Sequence, residues 1–245
     1  MNRLCIGTRG IGSWRERLAS PDRQWERGFS AFETAVSWEL ASRSESGIPE
    51  PIEKLLRASG YGDPVLVLAV AEHKVDLPPN RKAASQSDVW AVVNTSLGML
   101  SLTVEAKAKE AFGDAILQKW REGNGSEASK RNRLERWNFL CSHLPKADSF
   151  DHVRYQMLHR CASAVIEAKR LGIRHAAFVV QAFGAPTENF RDYAMFCDAL
   201  KIASAPGSMA TTAVNDIRLS IGWADCPLAS DSRFGTCVVV DRSLP

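Results

Sequence analysis

The sequence predicts an α/β fold, a mixed sheet flanked by helices, and three observations predict it. Two apolar runs, residues 89–93 and 99–104, flank a turn-rich stretch at 94–98, the pattern of a β-hairpin. A long amphipathic segment at 151–171 follows with helical periodicity. It leads into a fully apolar run at 176–183, as expected of a buried parallel strand reached by a crossover helix. With a helix at about 30–40 and a strand at 65–75 before the hairpin, the order is α-β-β-β-α-β, then α-β.

Composition sets the frame. The chain has 245 residues, 45% hydrophobic and 24% charged, with net charge +3. That is enough for one large soluble domain. No apolar run approaches the ~20 residues of a membrane span, so no membrane partner is expected. The N-terminal stretch lacks an apolar signal core, so a cytoplasmic location is expected. Six scattered cysteines show no metal-ligand spacing, and a structural zinc site is not expected. Residues 1–28 form a basic arm, with Arg3, Arg9, Arg15, Arg17, Arg23 and Arg27 interleaved with Trp14 and Trp25. Either the tryptophans pack it down or its arginines contact phosphate. Residues 29–225 make the main domain, and 226–245 a tail packed on it.

In the first helix, Ser30 and Glu33 have the spacing of a capping box. Phe32, Ala35, Val36 and Leu40 make its core stripe, with Glu39 close beside. A carboxylate there needs a partner, either a metal site or a cation such as Arg43. A short helix is expected at 51–58, ending at Gly60-Tyr61-Gly62. The strand at 65–75 begins apolar and then alternates, placing Glu72, Lys74 and Asp76 on one face.

The hairpin carries the chemistry. Leu100, Leu102, Val104 and Ala106 share one face of its second strand; Ser101, Thr103, Glu105 and Lys107 share the other. A turn centred on Ser96 and Leu97 sets Val89, Ala91 and Val93 against Val104, Leu102 and Leu100, and Asp88 against Glu105. A slip of one residue would turn Asp88 into the core. Opposed Cβ atoms lie roughly 5 Å apart. Two carboxylates that close repel unless a cation sits between them, and hard oxygen ligands suit Mg²⁺.

Asp88 followed by Glu105-Ala106-Lys107 at the end of a hairpin resembles the PD-(D/E)XK nuclease superfamily, the restriction-endonuclease-like fold. The stretches around Ser85–Asp88, Val104–Lys107, Phe112-Gly113, Trp120 and Arg154–Arg160 are also similar to a family of uncharacterised bacterial proteins placed in that fold. The likeness runs over roughly residues 14–225. It implies an αβββαβ core and metal-dependent hydrolysis of DNA, in a restriction or defence role. Mg²⁺, with Mn²⁺ as a substitute, would be held by Asp88, Glu105 and the backbone carbonyl of Ala106. Glu39 and Glu72 would be further metal-site candidates. Lys107 would position water and stabilise charge. Gln156, with Arg160 beside it, would reach the site from the following helix. Homodimerisation is left open. The rival reading is a catalytically inactive nucleic-acid- or protein-binding module on the same fold. A third is a thiol enzyme using Cys161 or Cys197.

A helix is expected at 109–123, followed by a basic stretch at 130–143 carrying Lys130, Arg131, Arg133 and Arg136. That charge run is either a solvated face or, with Arg160, a nucleic-acid contact. In the 151–171 helix Gln156, Arg160, Ser163 and Glu167 form a polar stripe beside the core stripe, and Gly172 is the expected C-cap. His159 reads as a packing or hydrogen-bonding group. A helix at 190–203 and a strand at 217–223 follow, with Ile217, Leu219, Ile221 and Trp223 inward. A short edge strand is expected at 236–241.

Overall fold

The computed structural model of the chain describes residues 10–18, 20–79, 84–113 and 115–231. A six-stranded sheet runs in the order β1-β2-β3-β4-β6-β5. Its strands are β1 Val65–Val75, β2 Ser85–Thr95, β3 Gly98–Lys107, β4 His175–Phe183, β5 Met209–Val214 and β6 Ile217–Cys226. The first three pair antiparallel, β4 lies parallel to both β3 and β6, and β5 closes the edge antiparallel to β6. The sheet is mixed, as predicted.

The hairpin register is the predicted one: Val89 faces Val104, Ala91 faces Leu102 and Val93 faces Leu100. A two-residue loop fixes it, because such a turn leaves no slack for a slip. Gly98 closes the turn at φ 105, a conformation open to glycine. Thr95 adds a side-chain lock, its hydroxyl donating to the Gly98 carbonyl at 2.6 Å and accepting from the Leu97 N–H.

Helices cover both faces. On one side lie α1 Gly12–Arg15, α2 Pro21–Gln24, α3 Ser30–Ala41 and α4 Glu50–Leu56, which runs into a π turn at Arg57–Tyr61. Trp38, Ile52, Leu55 and Leu56 there pack with Leu100, Leu102 and Val104 of β3. On the other side are α5 Leu117–Glu122, α6 Glu127–Cys141, α7 Tyr155–Leu171 and α8 Thr187–Ala199. Met157, Cys161, Ala164, Val165 and Ala168 of α7 pack against Phe178, Val180, Leu219 and Ile221. Burying one large apolar side chain contributes about 1.5–3 kcal/mol, so these two cores hold the layers together.

α7 also explains why the polar face of β3 is buried. Ser101, Thr103, Glu105 and Lys107 are at most 5% exposed. The helix lays its own polar stripe on them: Ser163 donates to Ser85 at 2.9 Å, and Ser101 donates to the Ala164 carbonyl at 3.1 Å. Glu167 meets His73 at 3.2 Å, and His73 stacks on Trp90. Gly172 caps the helix in the left-handed region, as expected.

Several boundaries differ from expectation. No helix starts at 109. Ile116 instead forms a β-bridge with Arg154, and Tyr155 N–H donates to the Ala115 carbonyl. That pairing keeps both segments extended, so α5 is short and α7 starts at Tyr155. Ser30 does not cap α3, whose N-cap is Phe29 with no side-chain bond. Glu33 instead turns back to the Gly28 N–H at 2.8 Å and takes the backbone N–H and hydroxyl of Ser230. That is the contact by which Ala229–Asp231 packs on α3. Among the described residues β5 lies at the edge beside β6; the short edge strand expected at 236–241 falls outside the described residues. In the arm, Trp14 is 2% exposed and Trp25 packs edge-on to Phe32 at 5.2 Å. Arg15 pairs with Asp22, and Arg27 with Asp231. Among the described residues no helix is long and apolar enough to cross a membrane.

Candidate active site

Three neighbouring strands each deliver a carboxylate to one end of the sheet. Ala71 and His73 of β1 pair with Val89 and Ser87, which sets Glu72 opposite Asp88. Val89 pairs with Val104, which sets Asp88 opposite Glu105. Glu72 has φ 54, a region costly for a residue with a Cβ. Asp88 is held by the Ala106 N–H, which donates to its Oδ2 at 2.7 Å. In an extended strand the carbonyl of a residue points the same way as its N–H, so the Ala106 carbonyl shares that side.

Glu105 is the centre of the cluster and is 2% exposed. Its Oε1 accepts from Lys107 Nζ and from Gln156 Nε2, both at 2.6 Å; its Oε2 accepts from Arg160 Nε at 2.6 Å. Gln156 and Arg160 stand one turn apart on α7, so both reach the same carboxylate. Gln156 is fixed at its other end, where Oε1 accepts from the Gly113 N–H at 2.8 Å. Lys107 Nζ lies 5.1 Å from the centre of the Phe112 ring.

The electrostatics follow from this crowding. Burial raises a carboxyl's pKa, but the Lys107 and Arg160 charges outweigh it at Glu105 and hold it at about 2. At Asp88 the balance reverses: burial, then the charges of Glu105 and Glu72, outweigh the Lys107 charge and the Ala106 N–H and push it well above its ordinary value. Burial likewise lifts Glu72 to about 7, against the hydrogen bond it accepts from Gln86 and with the charge of Glu105 adding to the rise. Burial would lower Lys107, yet the carboxylates of Glu105 and Asp88 raise it, so it stays an ammonium.

These groups face a cavity of about 460 Å³. Its wall also includes Glu110 and, from the arm and the start of α3, Arg23, Gln24 and Phe29. Glu110 was not singled out from the sequence. Its Oε1 accepts from the Ser30 N–H, while its Oε2 is buried without a hydrogen-bond partner. It lies in a bend after β3 with no periodicity to expose it; only its closeness to Lys107 in sequence was a signal.

The structure therefore brings together Asp88, Glu105, Ala106, Lys107, Gln156, Arg160 and Glu72. It does not bring Glu39, which points to the arm and accepts from Trp14 Nε1 at 2.8 Å. The expectation failed because the buried face of α3 runs through Ala35, Val36 and Trp38, with Phe32 only half-buried. Lys130, Arg131 and Arg133 sit on α6 and do not line this cavity. Lys130 pairs with Glu127, and Arg133 donates to the Gly123 carbonyl. Arg136 donates to the carbonyls of Leu77 and Pro78. His159 is a packing group, bonded to Ser85 at 2.8 Å. Cys161 and Cys197 are buried in the α7 core, and burial pushes both thiols up, Cys197 to about 11, so neither offers a thiolate.

Among the described residues no three His, Cys, Asp or Glu side chains already converge to hold a metal. The donor chemistry nevertheless fits a hard divalent ion. Three strands supply oxygen ligands, and the raised Asp88 and Glu72 mark an excess of buried negative charge that a cation relieves. Seating one would require Glu105 to turn an oxygen away from its present donors.

A family model described as a domain of unknown function, DUF6946, matches residues 7–227. The chain belongs to this family. No curated protein and no solved structure matches it. The DUF6946 span contains every residue that lines the cavity.

Proposed function

We propose that the chain is a metal-dependent nuclease of the PD-(D/E)XK kind that hydrolyses DNA phosphodiester bonds. The observation that carries the reading is the convergence of Asp88, Glu105 and Lys107 at the end of the hairpin. Packing alone does not require an acid, an acid and a buried ammonium at that one place.

Asp88, Glu105 and the Ala106 carbonyl would hold Mg²⁺ or Mn²⁺, which when bound neutralises phosphate charge and makes water a better nucleophile. The chain's own groups do the rest. Lys107, kept charged, sits where negative charge builds on the phosphorus oxygens as water adds and the ester oxygen leaves. Gln156 fixes Glu105 against the Gly113 backbone, and Arg160 balances the carboxylates so that a polyanion can approach. A restriction or defence role would follow from cleavage of foreign DNA.

A second reading has its own support. Glu105 is already satisfied by three donors, as in a purely structural ion cluster, and a binding module could keep such a cluster. Metal titration separates the two. For a nuclease, Mg²⁺ or Mn²⁺ raises the melting temperature, and Asp88→Asn abolishes the rise. A melt indifferent to both ions would favour the binding module.

A further inference from the structure

The depth of the candidate site bears on what can enter it. Lys107 and Glu105 are 5% and 2% exposed, so a reacting phosphate must come down into the cavity rather than touch a surface groove. The cavity volume of about 460 Å³ equals a sphere about 10 Å across, narrower than the ~12 Å major groove of a duplex alone. It falls in the range of pockets that enclose one small ligand, ~300–1,000 Å³. Leu18, Arg23 and Gln24 of the arm form part of its wall. The arm is anchored, with Trp14 buried against α3 and bonded to Glu39. A wall of this kind favours a flexible unpaired strand, which can turn one nucleotide inward, over a stiff duplex.

The rim suits an unpaired nucleotide. Phe29 is half-buried and lines the same cavity as the carboxylates. Lys109 Nζ lies 5.5 Å from its ring centre. Every base has a face that can stack on such a ring, and aromatic stacking is how single strands are held without regard to sequence. Arg23 is exposed and lines the same cavity, a cation available to a flanking phosphate.

We propose that the cavity takes one nucleotide at a time from single-stranded nucleic acid or a frayed chain end, with Phe29 as the stacking face and Arg23 against the flanking backbone. This rests on the nuclease reading for its chemistry, though its binding arm stands apart. Intact duplex is then a substrate only where it opens.

The test uses the full chain carrying Lys107→Ala, so that bound strands survive. Binding of a fluorescein-labelled short single strand and of its blunt duplex is read by anisotropy, with Mg²⁺ present. The expected result is at least tenfold tighter binding of the single strand. Adding Phe29→Leu, which keeps apolar bulk but removes the stacking face, weakens it by roughly five- to a hundredfold, with an unchanged melting temperature. Equal binding of duplex, or indifference to Phe29→Leu, overturns the proposal. Wild-type cleavage of the same two oligonucleotides distinguishes the failures. Internal cutting of blunt duplex as fast as of single strand overturns this inference and leaves the nuclease reading standing. Single-strand preference with no cutting of either overturns the nuclease reading and leaves the single-strand site standing.

Discussion

Replacing Glu105 by glutamine keeps the shape of the side chain and removes its charge. Lys107 and Arg160 then face each other across a buried gap with no anion between them. The drop in the Glu105 pKa from 4.5 to about 2 corresponds to about 3 kcal/mol, at roughly 1.4 kcal/mol for each pKa step. The general cost of breaking a buried pair is similar, ~3–5 kcal/mol. Part is returned, since Asp88 and Glu72 lose a repulsive neighbour, which leaves a net loss of about 2 kcal/mol. For a domain of this size that is a fall in melting temperature of about 4–8 °C, read by circular dichroism at pH 7. The pH dependence carries a sign. Glu105 is depressed on folding, so its contribution is fully present above about pH 4.5 and is lost as pH falls toward 2. The gap between wild type and Glu105→Gln should therefore narrow below pH 4.5. A mutant as stable as wild type at pH 7, or a gap that widens in acid, would refute this account of the cluster.

Three further predictions follow from the same geometry. Glu72 is raised to about 7 by folding, so it favours the folded state only while protonated, and its ionisation lowers stability as pH rises from about 4.5 through 7. Glu72→Gln should melt higher than wild type at pH 8 and show a smaller difference at pH 5; the opposite ordering in paired melts would show that the charge is compensated. Gln156→Ala loses the hydrogen bonds to Glu105 and Gly113 and should cost about 1–2 kcal/mol in urea unfolding; its cleavage loss should appear in kcat with KM little changed. If the exposed Lys130 and Arg131 of α6 contact phosphate, changing both to alanine should weaken binding of all sequences alike and lower the salt-dependence slope by about 1 per residue. An unaltered slope would leave them as a solvated face.

The hairpin was the most legible part of the chain. Its period-2 alternation, its short turn and the requirement that Val89, Ala91 and Val93 match Leu100, Leu102 and Val104 admit one register, and that register carries Asp88 to Glu105. The polar stripe of α7 was legible for a similar reason, because 3.6-residue spacing puts Gln156 and Arg160 on one face. Cover was not legible. The sequence does not say that α7 lies on the polar face of β3, so nothing in it marks Ser101 and Thr103 as the buried residues they are. Loop and arm residues were harder still. Glu110, Phe29 and Arg23 reach the cavity through bends and short helical turns that have no period to read. Glu39 misled because its offset from Phe32 implied a face that Trp38 actually occupies. β5 was missed because its residues are mostly half-exposed or exposed along an edge that pairs on one side only.

The most direct test of the central claim is cleavage of single-stranded and supercoiled DNA by wild type and by Lys107→Ala, with Mg²⁺, Mn²⁺ or EDTA. Lys107 lies buried between the carboxylates, and removing one such charge-stabilising group typically costs about 10²–10³ in rate. The account predicts metal-dependent cutting by wild type, none in EDTA, and a loss of that size in a folded Lys107→Ala protein. Cutting by Lys107→Ala at the wild-type rate, or no cutting of any substrate by folded wild type with metal present, would contradict it.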